Sequence, residues 1–209
     1  MTGPPRSSSN SLFLSIDETG HESGGACYVA AVVAVQAFRD RVEAALEAIE
    51  SDTEKHRKGW ARADPRKLDQ YMTYALDLDC LSERIYYVVA ENVDPSEYAQ
   101  VSRTAIKLTA EEFSETQRLI VIPDGYNRIA RERLRRAIKG LSRRVEVWSG
   151  GFDGHASLRL ADTVANQVFV HRCNQQHQKY RADIGVERFI ELGRKNEPPA
   201  RNLLAHVGG

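Results

Sequence analysis

The sequence predicts an α/β domain in which a mixed five-stranded sheet is flanked by helices. Three observations point there. Short runs rich in valine, isoleucine and leucine recur along the chain, apolar residues at helical spacing fill the stretches between them, and the first two runs are joined by a Gly-rich turn. A hairpin followed by strand-helix units makes a sheet with both parallel and antiparallel neighbours, covered by helices.

Residues 1–10 have the composition of a disordered leader, with no apolar stretch of signal-peptide length. Ser11 to Ile16 is a short apolar strand ending on Asp17-Glu18-Thr19-Gly20, and after the His21–Gly25 turn the valine-rich run Cys27 to Val35 returns antiparallel to it. Phe38, Val42, Ala45, Leu46 and Ile49 fall at helical spacing, so Phe38 to Glu50 is an amphipathic helix. A charged loop follows, and a second helix spans Pro65 to Leu78, with proline at a favoured early position. Arg84 to Val93 is a strand, Glu97 to Thr116 a long helix, and Arg118 to Pro123 a strand closing on Asp124-Gly125. Arg128 to Leu141 is helical and Arg144 to Trp148 is the last strand. Beyond the loop Ser149 to His155, Ser157 is placed to cap a helix from Leu158 to Cys173. Residues 11–173 thus form one domain, and residues 174–209 a polar C-terminal helical appendage and tail, with a helix near Ile184 to Leu192.

Composition narrows the function classes. With 42% hydrophobic and 28% charged residues among 209, the chain reads as globular, and no apolar run approaches the roughly 20 residues needed to span a bilayer. Three scattered cysteines, Cys27, Cys80 and Cys173, form no C-x-x-C pair, which fits a reducing, cytoplasmic setting. The 29 basic residues balance 29 acidic ones, so any attraction to nucleic acid must come from local patches.

Acids carry the chemistry. Asp17 and Asp124 each close an apolar strand, the place where sheets of this kind do their chemistry. Either alone also reads as a turn-starting Asp. Asp162 weighs more, because Leu158, Ala161, Asp162, Ala165, Val168 and Phe169 share one helical stripe of roughly 120°, which aims its carboxylate at the core. A buried carboxylate has to be protonated, paired with a base or bound to a metal. Oxygen ligands of this kind suit Mg²⁺ or Mn²⁺, two of which can together support phosphodiester hydrolysis. Glu18 is a fourth candidate ligand, on the condition that the strand has already ended there, since adjacent strand residues point to opposite faces.

The segments Phe13-Leu14-Ser15-Ile16-Asp17-Glu18-Thr19-Gly20, Ile120-Val121-Ile122-Pro123-Asp124 and Ser157-Leu158-Arg159-Leu160-Ala161-Asp162-Thr163-Val164-Ala165 together resemble the DUF3800 family. The resemblance covers roughly residues 11 to 173. It implies an RNase H-like sheet of order 3-2-1-4-5 with strand 2 antiparallel, and a metal-dependent nuclease acting on RNA or DNA, with Asp17, Asp124, Asp162 and Glu18 as metal-binding and catalytic residues. Thr19 stands where the family has serine and Arg159 where it has glutamine; neither exchange removes a carboxylate.

His56 and Lys58 in the basic loop, His155 before the last helix, and Arg159 are candidate nucleic-acid contacts. For His56 and Lys58 an exposed basic loop is the simpler reading. The helix from Arg128 carries Arg128, Arg131, Arg133, Arg135 and Arg136 around an apolar stripe of Ala130, Leu134, Ala137, Ile138 and Leu141, which reads as a solvated face, with a phosphate-binding flank as the alternative. Two other function classes stay open: a non-catalytic module that binds nucleic acid or protein on the same fold, and a nucleotide-phosphate hydrolase. The sequence leaves the oligomeric state open, a homodimer included.

Overall fold

The computed structural model describes residues 11–23, 27–36, 38–113, 115–151, 154–172 and 190–191. Its strands are β1 (Ser11–Thr19), β2 (Cys27–Val35), β3 (Ile85–Glu91), β4 (Arg118–Pro123), β5 (Arg144–Val147) and β6 (Ile190–Glu191). Its α-helices are α1 (Arg39–Asp52), α2 (Pro65–Leu76), α3 (Tyr98–Glu111), α4 (Arg128–Ala137) and α5 (Ala156–Arg172).

The sheet runs β5-β4-β1-β2-β3-β6. β2 is antiparallel to β1 and β3, whereas β1, β4 and β5 are parallel. The order 3-2-1-4-5 with strand 2 reversed is therefore the one expected of an RNase H-like sheet. β6 pairs parallel with β3. That is a correction: Ile190 and Glu191 were expected within a helix, and β3's open edge takes them as a strand instead. The rest of the expected appendage, and the leader, lie outside the described residues.

Alternation along the strands divides the core in two. Leu12, Leu14 and Ile16 of β1 with Tyr28, Ala30 and Val32 of β2 pack against Val101, Ala105 and Ile106 of α3 and Leu134 of α4. On the other face Val29, Ala31 and Val33 meet Leu46 of α1, Tyr71 of α2, and Ala161, Val164, Ala165 and Val168 of α5. All nine residues of β2 are buried, which is why its sequence is an unbroken apolar run. At the β1–β2 turn Gly20 has φ 100°, and a Cβ there would strike the Cys27 carbonyl. Only glycine suits that position.

Two helix starts, those of α2 and α4, are capped by local side chains. Asp64 caps α2 by accepting from Arg66 N–H at 2.9 Å, and Asn127 caps α4 by accepting from Ala130 N–H at 2.9 Å. α5 begins at Ala156, so Ser157 lies inside its first turn and does not cap it. The amides of Ala156 and Ser157 donate to the Glu43 carboxylate of α1, as does the Ser157 hydroxyl. An anion from another helix thus sits where the helix dipole favours one. Cys80 is free and exposed. No helix among the described residues is long and apolar enough to cross a membrane.

Candidate metal centre

Asp17 and Asp162 are brought together by the way α5 lies along β1. Ser15 and Ser157 share a hydrogen bond of 2.7 Å, and further along the Thr19 hydroxyl donates to Asn166 Oδ1 at 3.1 Å. Between these two ties, a strand rising about 3.3 Å per residue and a helix rising about 1.5 Å advance at matching pace. Asp17 and Asp162 are the residues midway, and Asp162 is the charge that acts most strongly on Asp17.

The helix that carries Asp162 is not amphipathic. α5 is buried on nearly every side, and its only openings before the last turn are at Asp162 and Asn166. The expected apolar stripe is therefore a correction in detail: Asp162 is set apart by being the more open residue on a buried helix, facing the strand ends. Its carboxylate is held at both oxygens. Trp60 N–H donates to Oδ2 at 2.8 Å and Asn166 Nδ2 to Oδ1 at 2.9 Å.

Asp124 follows the last paired residue of β4. Ile16 is in register with Pro123, and Asp124 N–H continues the ladder by donating to the Ile16 carbonyl at 3.2 Å. This places Asp124 beside Asp17 across the strand pair. Glu18 is different. β1 stays paired with β2 through Thr19, so Glu18 lies in the strand and points to the face opposite Asp17. Its neighbours are the phenols of Tyr28 and Tyr126 on the α3 side. The condition for Glu18 to share one face with Asp17 is not met; Asp124, at the sheet edge, is the acid whose charge reaches both sides.

The electrostatics are those of crowded, under-neutralised acids. Burial raises the Asp17 carboxyl well above the usual range, and the charge of Asp162, then those of Glu18 and Asp124, add to it. Glu18 is pushed up to about 7, first by burial and then by Asp124, with the two tyrosines pulling it back. Burial also raises Asp124 and Asp162, the latter partly offset by the Trp60 amide and by Lys55. Glu18 Oε2 is buried without a hydrogen-bond partner. Among the described residues no three acidic, histidine or cysteine side chains are already drawn into a closed ligand set. What stands here is a concentration of hard oxygen donors and negative charge at one sheet edge. Asp17, Asp162 and Asp124 lie on one side and are hard oxygen donors of the kind that suits a divalent cation, whereas Glu18 lies on the other side and is corrected as a fourth ligand.

The other candidates separate. Arg159 is fully buried, donating from Nε and Nη2 to the Glu50 carboxylate at 2.8 and 2.7 Å. Its nomination as a nucleic-acid contact is corrected: on a helix buried all round, this side chain faces α1 and ties α5 to it. His155 accepts from Arg39 Nη2 at 2.8 Å, and Arg39 lies over the Phe13 ring. That is the opposite end of β1 from Asp17, about 10 Å back along α5 from Asp162 at ~1.5 Å per residue, so His155 is not at the centre's rim. His56 and Lys58 are exposed in the loop that leads to Trp60. Three contributors escaped the sequence reading: the Trp60 amide, Asn166 and Lys55. Asn166 had a signal, being one helical turn beyond Asp162. Lys55 had none, since a lysine within Glu-Lys-His-Arg-Lys reads as solvated, yet it is fully buried with Nζ 3.0 Å from Glu50 Oε1.

No family model matches the chain, and no curated protein matches it. Among solved structures it is similar to ribonuclease H2 from Pyrococcus horikoshii OT3, at 15% identity and TM-score 0.44, covering 83% of this chain and 82% of that one. It is also similar to a chain of the PCNA:RNase HII complex from Archaeoglobus fulgidus, at 17% identity and TM-score 0.46 over 93% and 87%. A third likeness is to Bst-RNase HIII in complex with Mn²⁺, at 14% identity and TM-score 0.47, covering 79% of this chain but 53% of that one. At such scores these likenesses say nothing of this chain's chemistry, which has to be judged from its own residues.

Proposed function

We propose that the protein is a divalent-metal-dependent nuclease of DUF3800 type, hydrolysing phosphodiester bonds of RNA or DNA at the acidic edge formed by Asp17, Glu18, Asp124 and Asp162. The observation that carries this reading is the raised pKa of all four carboxyls together with the unpartnered, buried Glu18 Oε2. A fold does not maintain four mutually repelling acids without a counter-charge when an apolar replacement would be more stable. Mg²⁺ or Mn²⁺ is the counter-charge that oxygen donors select, and when bound it supplies activation of water and neutralisation of the charge that develops on phosphate oxygens. Asp17, Asp124 and Asp162 would hold it, while Glu18, on the opposite face, adds to the negative charge around them. The protein's own part is positional. Trp60 N–H and Asn166 Nδ2 fix both oxygens of Asp162, and the phenols of Tyr28 and Tyr126 lie beside Glu18.

The test is cleavage of labelled RNA and DNA oligonucleotides by the purified protein with Mg²⁺ or Mn²⁺. Asp124→Asn is expected to lower the rate by two orders of magnitude or more, about 3 kcal/mol of barrier, with the fold intact by circular dichroism. Cleavage that persists in chelator, or that is equal in Asp124→Asn, would overturn the assignment.

A further inference from the structure

Four carboxylates repel the substrate they are proposed to cut, so a polyanion has to be held by cations placed beside them. The arginines of α4 are in that position. Two cavities flank this helix. One, of about 720 Å³, lies against Val147 and Ser149 at the end of β5 and is lined by Arg128 and Arg131. The other, of about 480 Å³, lies between α3 and α4 and is lined by Arg103, Tyr126, Asn127 and Ala130. Ile129 and Arg133 line both, so α4 forms a ridge between two cationic flanks at the end of the parallel strands that carries Asp124.

Three features set this surface apart from an ordinary solvated helix face. Arg135 and Arg136 share the single carboxylate of Glu132 at 2.9 and 3.1 Å, whereas Arg128, Arg131 and Arg133 have no carboxylate partner among the described residues. Arg103 is likewise free of carboxylates there; its Nε donates to the Ala99 carbonyl at 3.1 Å, which steadies the side chain. Ile129 stands 62% exposed on the ridge, an apolar side chain amid cations, suited to pack against a base or sugar. The smaller cavity is also continuous with the acidic edge. Tyr126, one of its walls, lies beside Glu18 and feels the charge of Arg103.

We propose that the groove between α3 and α4, with Arg103 and Arg133 as its phosphate contacts and Tyr126 at its inner end, binds the backbone of a single nucleic-acid strand and leads it to the acidic edge. The strand's destination rests on the nuclease reading above; its binding does not.

The test is fluorescence anisotropy with a labelled single-stranded 20-mer, as DNA and as RNA, in Mg²⁺. It is run in the Asp124→Asn background, with a gel to verify that the strand stays whole. Arg103→Gln combined with Arg133→Gln is expected to weaken binding at least about tenfold and to reduce the slope of log affinity against log salt by about 1.4, as loss of two phosphate contacts on a single strand requires. Arg135→Gln combined with Arg136→Gln, neither of which lines this groove, is expected to change affinity less than about twofold. The proposal is overturned if the first pair binds like its parent, if the second pair loses as much, if the parent does not bind, or if polyglutamate competes as well as the oligonucleotide, which would mark an acidic-peptide site. Cleavage in the otherwise wild-type protein separates the two readings. Binding lost with the first pair while no variant cleaves under any metal would uphold the groove and sink the nuclease; full cleavage by that pair at low substrate concentration would sink the groove alone.

Discussion

Glu18→Gln is expected to stabilise the metal-free protein, by an amount that grows as pH rises from about 4.5 to about 7. Burial and the charge of Asp124 move the Glu18 carboxyl from an ordinary 4.5 to about 7 in the folded state. The folded chain therefore keeps a proton that the unfolded chain releases at about 4.5. The stability linked to that proton is fully present below pH 4.5 and is lost as pH rises through 7. At ~1.4 kcal/mol per pH unit the ionised group costs the fold about 3 kcal/mol at pH 8.5, a large share of a typical domain's stability. Glutamine keeps the size and can still engage the phenols of Tyr28 and Tyr126, with no charge to desolvate. Urea denaturation in EDTA measures the difference. The two proteins should agree within about 1 kcal/mol at pH 5, and the variant should lead by about 3 kcal/mol at pH 8.5 with an unchanged denaturant slope. Adding Mg²⁺ should narrow the gap, because the ion stabilises the carboxylate and not the amide. A variant that is less stable at every pH, or whose advantage does not grow with pH, would refute this account of the acidic edge.

Two further outcomes concern residues that support the site. Glu50→Gln leaves Arg159 and Lys55 buried with no full negative charge between them, and should cost about 3–5 kcal/mol by thermal or chemical denaturation. Asn166→Ala removes the amide that holds Asp162 Oδ1 and the partner of Thr19, and should cost only about 1 kcal/mol of stability while lowering Mg²⁺ affinity, read by calorimetry, by about 10- to 100-fold.

Legibility varied with how local each cause is. The continuous apolar run of β2 and the acids closing β1 and β4 could be read directly, because two-sided burial and strand termination leave their mark within a few residues. Asp162 was picked out through a periodicity that α5 does not obey: the helix is buried on the α1 side as well, where Arg159 is charged yet fully buried against Glu50, so hydrophobic spacing mistook its open side. The orientation of Glu18 turned on whether pairing continued through Thr19. That is decided by Val29 across the hairpin and not by the acid's own neighbours. Ser157 looked like a cap because serine usually is one; the actual cap is Glu43, more than a hundred residues earlier. Lys55 was illegible for the same reason, since its burial depends on Glu50 and on the ring of Tyr71, over which Nζ lies at 4.3 Å.

The anchoring of α5 by Glu43 and Ser15 has a consequence for how the chain can vary in length. Asp162 is positioned as a distance measured from a fixed origin at Ala156 and Ser157. Residues added upstream of that origin would lengthen a loop and leave the acid where it is. A single residue added between Ser157 and Asp162 would advance it by only about 1.5 Å but swing it through about 100°, from the strand ends into the packed interior. The helix thus behaves as a ruler whose zero is held by another helix, and the chemistry at its far mark depends on a carboxylate that never approaches it.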